Sequence, residues 1–409
     1  MKIALLGYGK EGKSAENYLK THFDNPDIEI LENFDHVEIR SRDFSSFNYV
    51  FRSPSVPPLN LENETSVTQF FFEHCPCPII GVTATKGKGT TCSFIKALLD
   101  ALGEKAYLVG NIGSPAIDVL DELDEQSVVV YEMSSFQLWD LKQSPKIAVL
   151  GQLEPDHLNV HKDYADYLNA KANIAKYQNE NDYLVFFRNN QEAVKTAESS
   201  SAKKVSYPFE IPKEIKTAIK LPGIHNEENA IAAIAAVASY KSISPEEFMS
   251  NYQNDIIKGL ENFKGLPHRL EYLRELNGVK YYDDNFSTNP SSTRVAINAF
   301  PNDNLVAIIG GRDKTNYEDL PEIYEILKAP QIKKIILIGE SGHELAKKYE
   351  DSRFILAESL KEAIETAKNE AEKIAPSIIV MSPSAASFDM FNSVYDRGDQ
   401  FKNLIASLS

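Results

Sequence analysis

Short apolar runs separated by longer amphipathic stretches recur along the whole chain, and this alternation predicts strands and helices in turn. The first run, Ile3 to Leu6, leads through the turn Gly7-Tyr8-Gly9-Lys10-Glu11-Gly12 into a helix expected to begin near Ser14. Ile28 to Leu31 reads as the next strand, closed by Glu32. From Pro78 the pattern restarts with PIIGVT, a helix from Thr90 to Leu102, the runs SVVVYEM and KIAVLGQL, a helix near Tyr164 to Tyr177, and YLVFF. Asn226 to Tyr240, with its run AIAAIAAVA, reads as a helix that is apolar almost all round and therefore buried. After Gly265 come NLVAIIGG, KKIILIGE, RFIL and SIIVMSP, each followed by a helical segment, the last from Tyr395 to Leu408. Continuous apolar strands alternating with helices mean largely parallel sheets covered by those helices.

Two proline-rich stretches interrupt the pattern, Ser53 to Asn60 and Cys75-Pro76-Cys77-Pro78. A chain of 409 residues also exceeds what one core organises. The fold class expected is α/β, with three sequential α/β domains. These are a Rossmann-like N-terminal domain over 1–77, a central P-loop ATPase-like domain over 78–263, and a Rossmann-like C-terminal domain over 264–409. The hydrophobic share of 43% and charged share of 25% suit a globular protein. No apolar run approaches the ~20 residues of a membrane helix, and the N-terminus lacks the apolar region of a signal peptide, so a cytoplasmic location is expected. A net charge of −16 argues against a nucleic-acid partner. Three cysteines, Cys75, Cys77 and Cys92, make neither a disulfide framework nor a zinc site and read as reduced thiols.

Two glycine-rich turns carry candidate chemistry. The first, G-x-G-x-x-G between strand and helix, lets backbone amides approach a diphosphate, with Glu32 placed to take a ribose hydroxyl. Alone it fixes a βαβ start and little more. The second, GVTATKGKGTT from Gly81 to Thr91, has the layout of a phosphate loop, in which backbone amides and Lys88 hold a triphosphate. Where such loops usually place Ser or Thr after the lysine, Gly89 stands, so Thr90 is assigned the Mg²⁺-binding hydroxyl with Thr91 behind it.

This second turn resembles those of the Mur ligases and the folylpolyglutamate synthases. Further blocks are similar to the D-glutamate-adding branch of the Mur ligases in the same order: GNIGSPA from Gly110, EMSSFQL from Glu132, EPDHLNVH from Glu154, and A-K-x-x-I from Ala170. GIHNEENA from Gly223, LPHRLE from Leu266, DDNFSTNPSST from Asp283, GGRDK from Gly310 and SPSAASFDMF from Ser382 complete the series. The resemblance implies an ATP-dependent ligase that phosphorylates the carboxylate of UDP-N-acetylmuramoyl-L-alanine and joins D-glutamate to the acyl phosphate, acting as a monomer. Repulsion between triphosphate and carboxylate calls for two Mg²⁺ ions and positioned cations. The resemblance assigns catalysis to Lys88, His157, Lys171 and Arg269. Nucleotide contacts fall to Gly87, Lys88, Gly89, Thr90, Thr91, Asn229, Arg269 and Asp284. Metal contacts fall to Thr90, Glu132, His157 and Lys171, the last as a carbamate. Gly9, Lys10, Glu11, Ser53 and Asn111 would hold the UDP-linked acceptor, and Thr288, Lys314 and Ser387 the amino acid.

Departures from the family pattern are Ala84 and Lys86 in the second glycine turn, Ser55 where a glycine is usual, and Phe286 in place of a lysine. Other readings stay open: a folylpolyglutamate synthase, the diaminopimelate- or lysine-adding Mur enzyme, a nucleotide-binding oxidoreductase, or a nucleotide-binding scaffold without turnover.

Overall fold

The apolar runs pair side by side into sheets. In the computed structural model residues 1–32 and 36–409 are described. They form two compact units, Met1–Ala218 with Glu228–Phe263, and Ile219–Glu227 with Lys264–Ser409.

The first unit holds two sheets. Strands β1 (Lys2–Leu6), β2 (Asp27–Leu31), β3 (Tyr49–Arg52) and β4 (Glu64–Ser66) are parallel in the order β2-β1-β3-β4. Strands β5 (Ile79–Thr83), β6 (Lys105–Gly110), β7 (Ser127–Glu132), β8 (Ile147–Leu150), β9 (Tyr183–Phe187) and β10 (Lys203–Tyr207) are parallel in the order β10-β9-β8-β5-β7-β6. Every residue of β5, β7 and β8 is buried, because helices cover both faces of such a sheet and leave no polar side to alternate with. In the helix Ile224–Tyr240, Ala230 to Ala238 are all buried, as its small apolar surface requires. No helix among the described residues is long and apolar enough to cross a membrane.

The second unit is one sheet of β11 (Glu271–Leu276), β12 (Val279–Asp283), β13 (Leu305–Gly310), β14 (Ile332–Ile338), β15 (Phe354–Leu356) and β16 (Ser377–Met381), in the order β11-β12-β16-β13-β14-β15. β11 runs antiparallel to β12, while the remaining pairs are parallel. The alternating pattern did not foretell this hairpin. Asn277 (φ 52°) and Gly278 (φ 76°) make its turn, the left-handed pair that matches strand twist.

Two helices begin earlier than their periodicity suggests. The first spans Lys10–His22 rather than starting near Ser14, so the second half of the glycine motif is already helical. Gly12 then lies where helix and strand touch, and a Cβ there would sit 2.2 Å from the Gly7 carbonyl oxygen. The second spans Lys88–Ala101, because Gly87 at φ 84° turns the chain directly into it.

In each sheet the strand order reverses once: beside β1 and β3, beside β5 and β8, and beside β13 and β16. At such reversals the connections diverge to opposite faces and leave a crevice at the carboxyl ends of the strands, where ligands of open α/β sheets bind.

Candidate active site

The crevice beyond β5 contains the phosphate-loop residues. Gly87 is an N-cap without side-chain hydrogen bond, and no acidic residue occupies the first turn after it. The leading amides and the positive end of the helix dipole therefore suit an anion. A Cβ on Gly87 would lie 2.6 Å from Asn229 Oδ1, and Thr91 Oγ1 donates to the same oxygen at 3.2 Å. Asn229 thus braces the loop from behind. Thr90 is half-buried in the first helical turn.

Two lysines meet over this loop. Lys88 Nζ donates to the carbonyls of Ala84 (3.0 Å) and Thr85 (3.1 Å). Lys171 Nζ, on the helix Tyr164–Lys176, donates to Thr83 Oγ1 (3.1 Å) and Ala84 O (2.8 Å). Lys171 is only 2% exposed, and burial first, then the charge of Lys88, hold its ammonium well below the usual lysine range. Its neighbours with opposing effect are Asp156 and Glu132, the latter buried at the end of β7.

His157 takes a left-handed backbone (φ 54°). Burial lowers its pKa, and Lys88 and Lys171 lower it further against the pull of Asp156. Lys88, Lys171, Glu132, His157 and Asp156 therefore share one electrostatic neighbourhood. The donor set, hydroxyl and carboxylate oxygens beside two lysines, fits a magnesium–triphosphate complex. Asp156 is an addition to the sequence reading, although it stands in the EPDHLNVH block. His161, also unassigned before, is buried between Asp166 (Nδ1 to Oδ2, 2.9 Å) and Ser135 (Nε2 to Oγ, 2.9 Å) and stacks on Phe136.

Beyond β1 and β3 lie the residues expected to hold the acceptor, in contact with loops of the β5–β10 sheet. Gly9 is the N-cap of the first helix and makes no side-chain cap bond. Lys10 Nζ donates to Gly113 O at 3.2 Å, in the loop that also carries exposed Asn111. Ser53 Oγ lies 2.9 Å from Ser55 Oγ, and a Cβ on Gly7 (φ 80°) would be 2.2 Å from Ser53 Oγ. Glu11 offers more than an amide: Gln137 Nε2 donates to its Oε1 at 2.8 Å, its Oε2 is buried without a partner, and burial pushes its pKa to about 7. Arg52, fully buried and missed by the sequence reading, donates to Glu64 (2.8 Å), to Asp140 and to the Val56 carbonyl.

In the second unit the carboxyl ends of β12, β13 and β16 gather the remaining residues. Arg269 is exposed, its guanidinium 5.5 Å from the centre of the Phe286 ring, which packs edge-on against Tyr395. Lys314 donates to the Thr288 carbonyl. Asp284 is turned inward: Leu270 N–H donates to Oδ1 at 3.1 Å and Ser382 Oγ to Oδ2 at 2.7 Å, and burial raises its pKa to about 7. Ser387 Oγ is buried without a partner. Behind them lies Arg397, fully buried and donating to the Asn285 side chain and to the carbonyls of Asn285, Ala385 and Ala386. Nothing in the helical pattern around Arg397 marked it out.

His268, Glu271 and Asp283 form the one cluster of metal-type ligands found among the described residues, with atoms within 4.8 Å. Lys402 already engages both Glu271 oxygens at 2.8 and 3.0 Å, and His268 Nδ1 contacts Asp283 at 2.7 Å. It is a closed hydrogen-bonded network bracing the LPHR turn.

Comparison with known proteins follows the same division. The Mur ligase middle domain model matches residues 82–217, and the Mur ligase glutamate ligase domain model matches residues 268–385. The UDP-N-acetylmuramoylalanine–D-glutamate ligase of Clostridium botulinum (strain Hall) is 33% identical over 400 residues, covering 88% of this chain and 83% of the relative. The ligase of the same name from Acetivibrio thermocellus is 32% identical, covering 100% of this chain and 96% of the relative. Among solved structures, MurC from Thermotoga maritima superposes with a TM-score of 0.59 at 15% identity, covering 100% of this chain and 99% of that one. MurF from Acinetobacter baumannii superposes with a TM-score of 0.59 at 16% identity, covering 87% and 84%. At these identities the structural likeness speaks for the fold alone.

Proposed function

This chain belongs to the Mur ligase family, and we propose that it acts as its relatives are named, as the ATP-dependent ligase that adds D-glutamate to UDP-N-acetylmuramoyl-L-alanine in peptidoglycan precursor synthesis. The observation that carries the reading is the meeting of Lys88 and Lys171 over a glycine-capped helix, beside Glu132, Asp156 and His157.

A carboxylate is a poor electrophile. Its oxygen attacks the γ-phosphorus of ATP, ADP leaves, and the resulting acyl phosphate is open to the amine of D-glutamate. The amine nitrogen attacks the carbonyl carbon, the tetrahedral adduct loses phosphate, and the nitrogen gives up its proton. Lys88 and the amides of Gly87, Gly89 and Thr90 hold the β- and γ-phosphates and offset their charge, and Thr91, its N–H bonded to the Gly87 carbonyl, fixes the turn behind them. Magnesium, at two sites, would screen the triphosphate from the carboxylate; Thr90, Glu132 and His157 would hold it. Lys171 completes that set as a carbamate: burial disfavours its ammonium, and the deprotonated amine can add carbon dioxide, losing a further proton and becoming an anion. Asn229 keeps the loop in register and the adenine beside it.

Residues 1–77 form the acceptor domain, with Gly9, Lys10, Glu11 and Ser53 on the UDP and Asn111 reaching it from 78–263, the ATP domain. Residues 264–409 form the amino-acid domain. There Arg269 meets the γ-phosphate and Asp284 the ribose, while Thr288, Lys314 and Ser387 take the two carboxylates of D-glutamate, a cation with hydroxyls suiting a dicarboxylate. The enzyme works as a monomer in the cytoplasm.

Phosphate release is the test. It is expected only when ATP, UDP-N-acetylmuramoyl-L-alanine and D-glutamate are all present, and release indifferent to D-glutamate, or supported by folate substrates, would overturn the assignment. Lys88→Ala is expected to lower turnover by about 100- to 1000-fold with an unchanged melting temperature.

A further inference from the structure

A pair of thiols that the ligase reaction leaves unused lies between the first sheet and β5. Cys75 is the C-cap of the helix Val67–His74, its N–H donating to Phe71 O, and Cys77 lies two residues before β5. Their sulfurs are 3.6 Å apart, and Cys75 Sγ also lies 3.5 Å from the Cys77 carbonyl. Cys75 is half-buried and reachable from solvent, whereas Cys77 is 9% exposed. Each cysteine precedes a proline, Pro76 or Pro78, which confines it to extended backbone. Cys75 is found there, at φ −69° and ψ 118°. The segment therefore has little freedom with which to separate its sulfurs, and bond formation between them closes a loop of one intervening residue.

We propose that Cys75 and Cys77 are a dithiol–disulfide exchange site that reacts with low-molecular-weight disulfides, Cys75 as the entry thiol and Cys77 as the resolving one. The Cys75 thiolate attacks one sulfur of the small disulfide, whose S–S bond breaks and whose other half leaves and takes up a proton. Cys77 then loses its proton and attacks Cys75 Sγ. The second half leaves as a thiol, and an internal disulfide remains. Two protein thiols are oxidised and one small disulfide is reduced to two thiols, so the step is reversed by a thiol reductant. The asymmetry of the pair favours this order: the Cys77 thiol stabilises the Cys75 thiolate, while contact with Cys75 and burial raise the pKa of Cys77. No third histidine, cysteine or carboxylate joins them at ligand distance among the described residues, which sets exchange ahead of a metal site.

The test uses the full chain with glutathione disulfide, followed by alkylation and peptide mass spectrometry, and does not depend on ligase activity. In the wild type the peptide spanning both cysteines is expected to lose two hydrogens and carry no glutathione, and dithiothreitol is expected to restore it. Cys77→Ala is expected to trap glutathione on Cys75, and Cys75→Ser to leave Cys77 unmodified. Cys92, fully buried, serves as the unreactive control in every sample. A lasting glutathione adduct on wild-type Cys75, equal modification of Cys77 in Cys75→Ser, or two thiols that stay alkylatable throughout would each overturn the proposal.

Discussion

Asp284 carries two demands in one carboxyl. Its oxygens tie the LPHR turn to β16 through Leu270 N–H and Ser382 Oγ, yet burial makes its charge costly. A carboxyl raised from 3.8 to about 7 on folding binds its proton more tightly in the native state than in the unfolded chain. Its contribution is therefore complete at pH 4 and below and is lost as the pH rises towards 7. The loss is on the order of 4 kcal/mol for a shift of this size. Asp284→Asn, which mimics the protonated form, is expected to flatten the fall in stability between pH 4 and 7. Urea titrations across that range check it, and parallel curves for the two proteins would refute it. The sequence singled out Asp284 by its motif but not its inward orientation, which depends on Ser382, 98 positions away.

At the level of elements, glycine does different work in the phosphate loop and in the β11–β12 hairpin. Gly87 and Gly278 both have positive φ, but a Cβ on Gly87 would collide with Asn229 Oδ1 at 2.6 Å, whereas one on Gly278 would meet only Ala375 Cβ at 3.5 Å. Gly278→Ala is thus expected to cost about 1 kcal/mol of backbone strain and no activity. Gly87→Ala should add a displaced Asn229, raising KM for ATP. Thermal unfolding together with ATP-dependent kinetics separates the two effects. Strands β5, β7 and β8 and the helix Ile224–Tyr240 were legible because continuous apolar runs leave burial as their only outcome. The hairpin was not found, although Asn277-Gly278 between apolar residues is a strong turn signal, because β11 and β12 each alternate only weakly. The helix starts at Lys10 and Lys88 were misjudged for another reason: glycine caps give no side-chain cue.

Over the whole molecule, the glycine turns read from the sequence follow the carboxyl ends of parallel strands, Gly7 to Gly12 after β1 and Gly87 after β5. What the sequence withheld were the long-range polar ties within the first unit: Glu11 to Gln137, 126 positions apart, and Arg52 to Asp140, 88 apart. No periodicity encodes such pairs. Arg52 has no solvent exposure in its side chain and Glu64 only 5%, so Arg52→Ala would leave a buried carboxylate without its cation. The expected loss is about 3–5 kcal/mol, read as a lower urea midpoint. Arg52→Lys should recover only part of it, since one ammonium cannot span Glu64, Asp140 and the Val56 carbonyl.

The penalty that burial puts on the Lys171 ammonium also has a calorimetric consequence. A triphosphate arriving beside it makes the ammonium favourable again, so nucleotide binding should draw a fraction of a proton from solution. In buffers free of carbon dioxide, the measured binding enthalpy should then change with the ionisation heat of the buffer. Once bicarbonate has converted the amine to its carbamate, no proton site remains and that dependence should vanish. A buffer-independent enthalpy under both conditions would mean that Lys171 keeps its proton throughout.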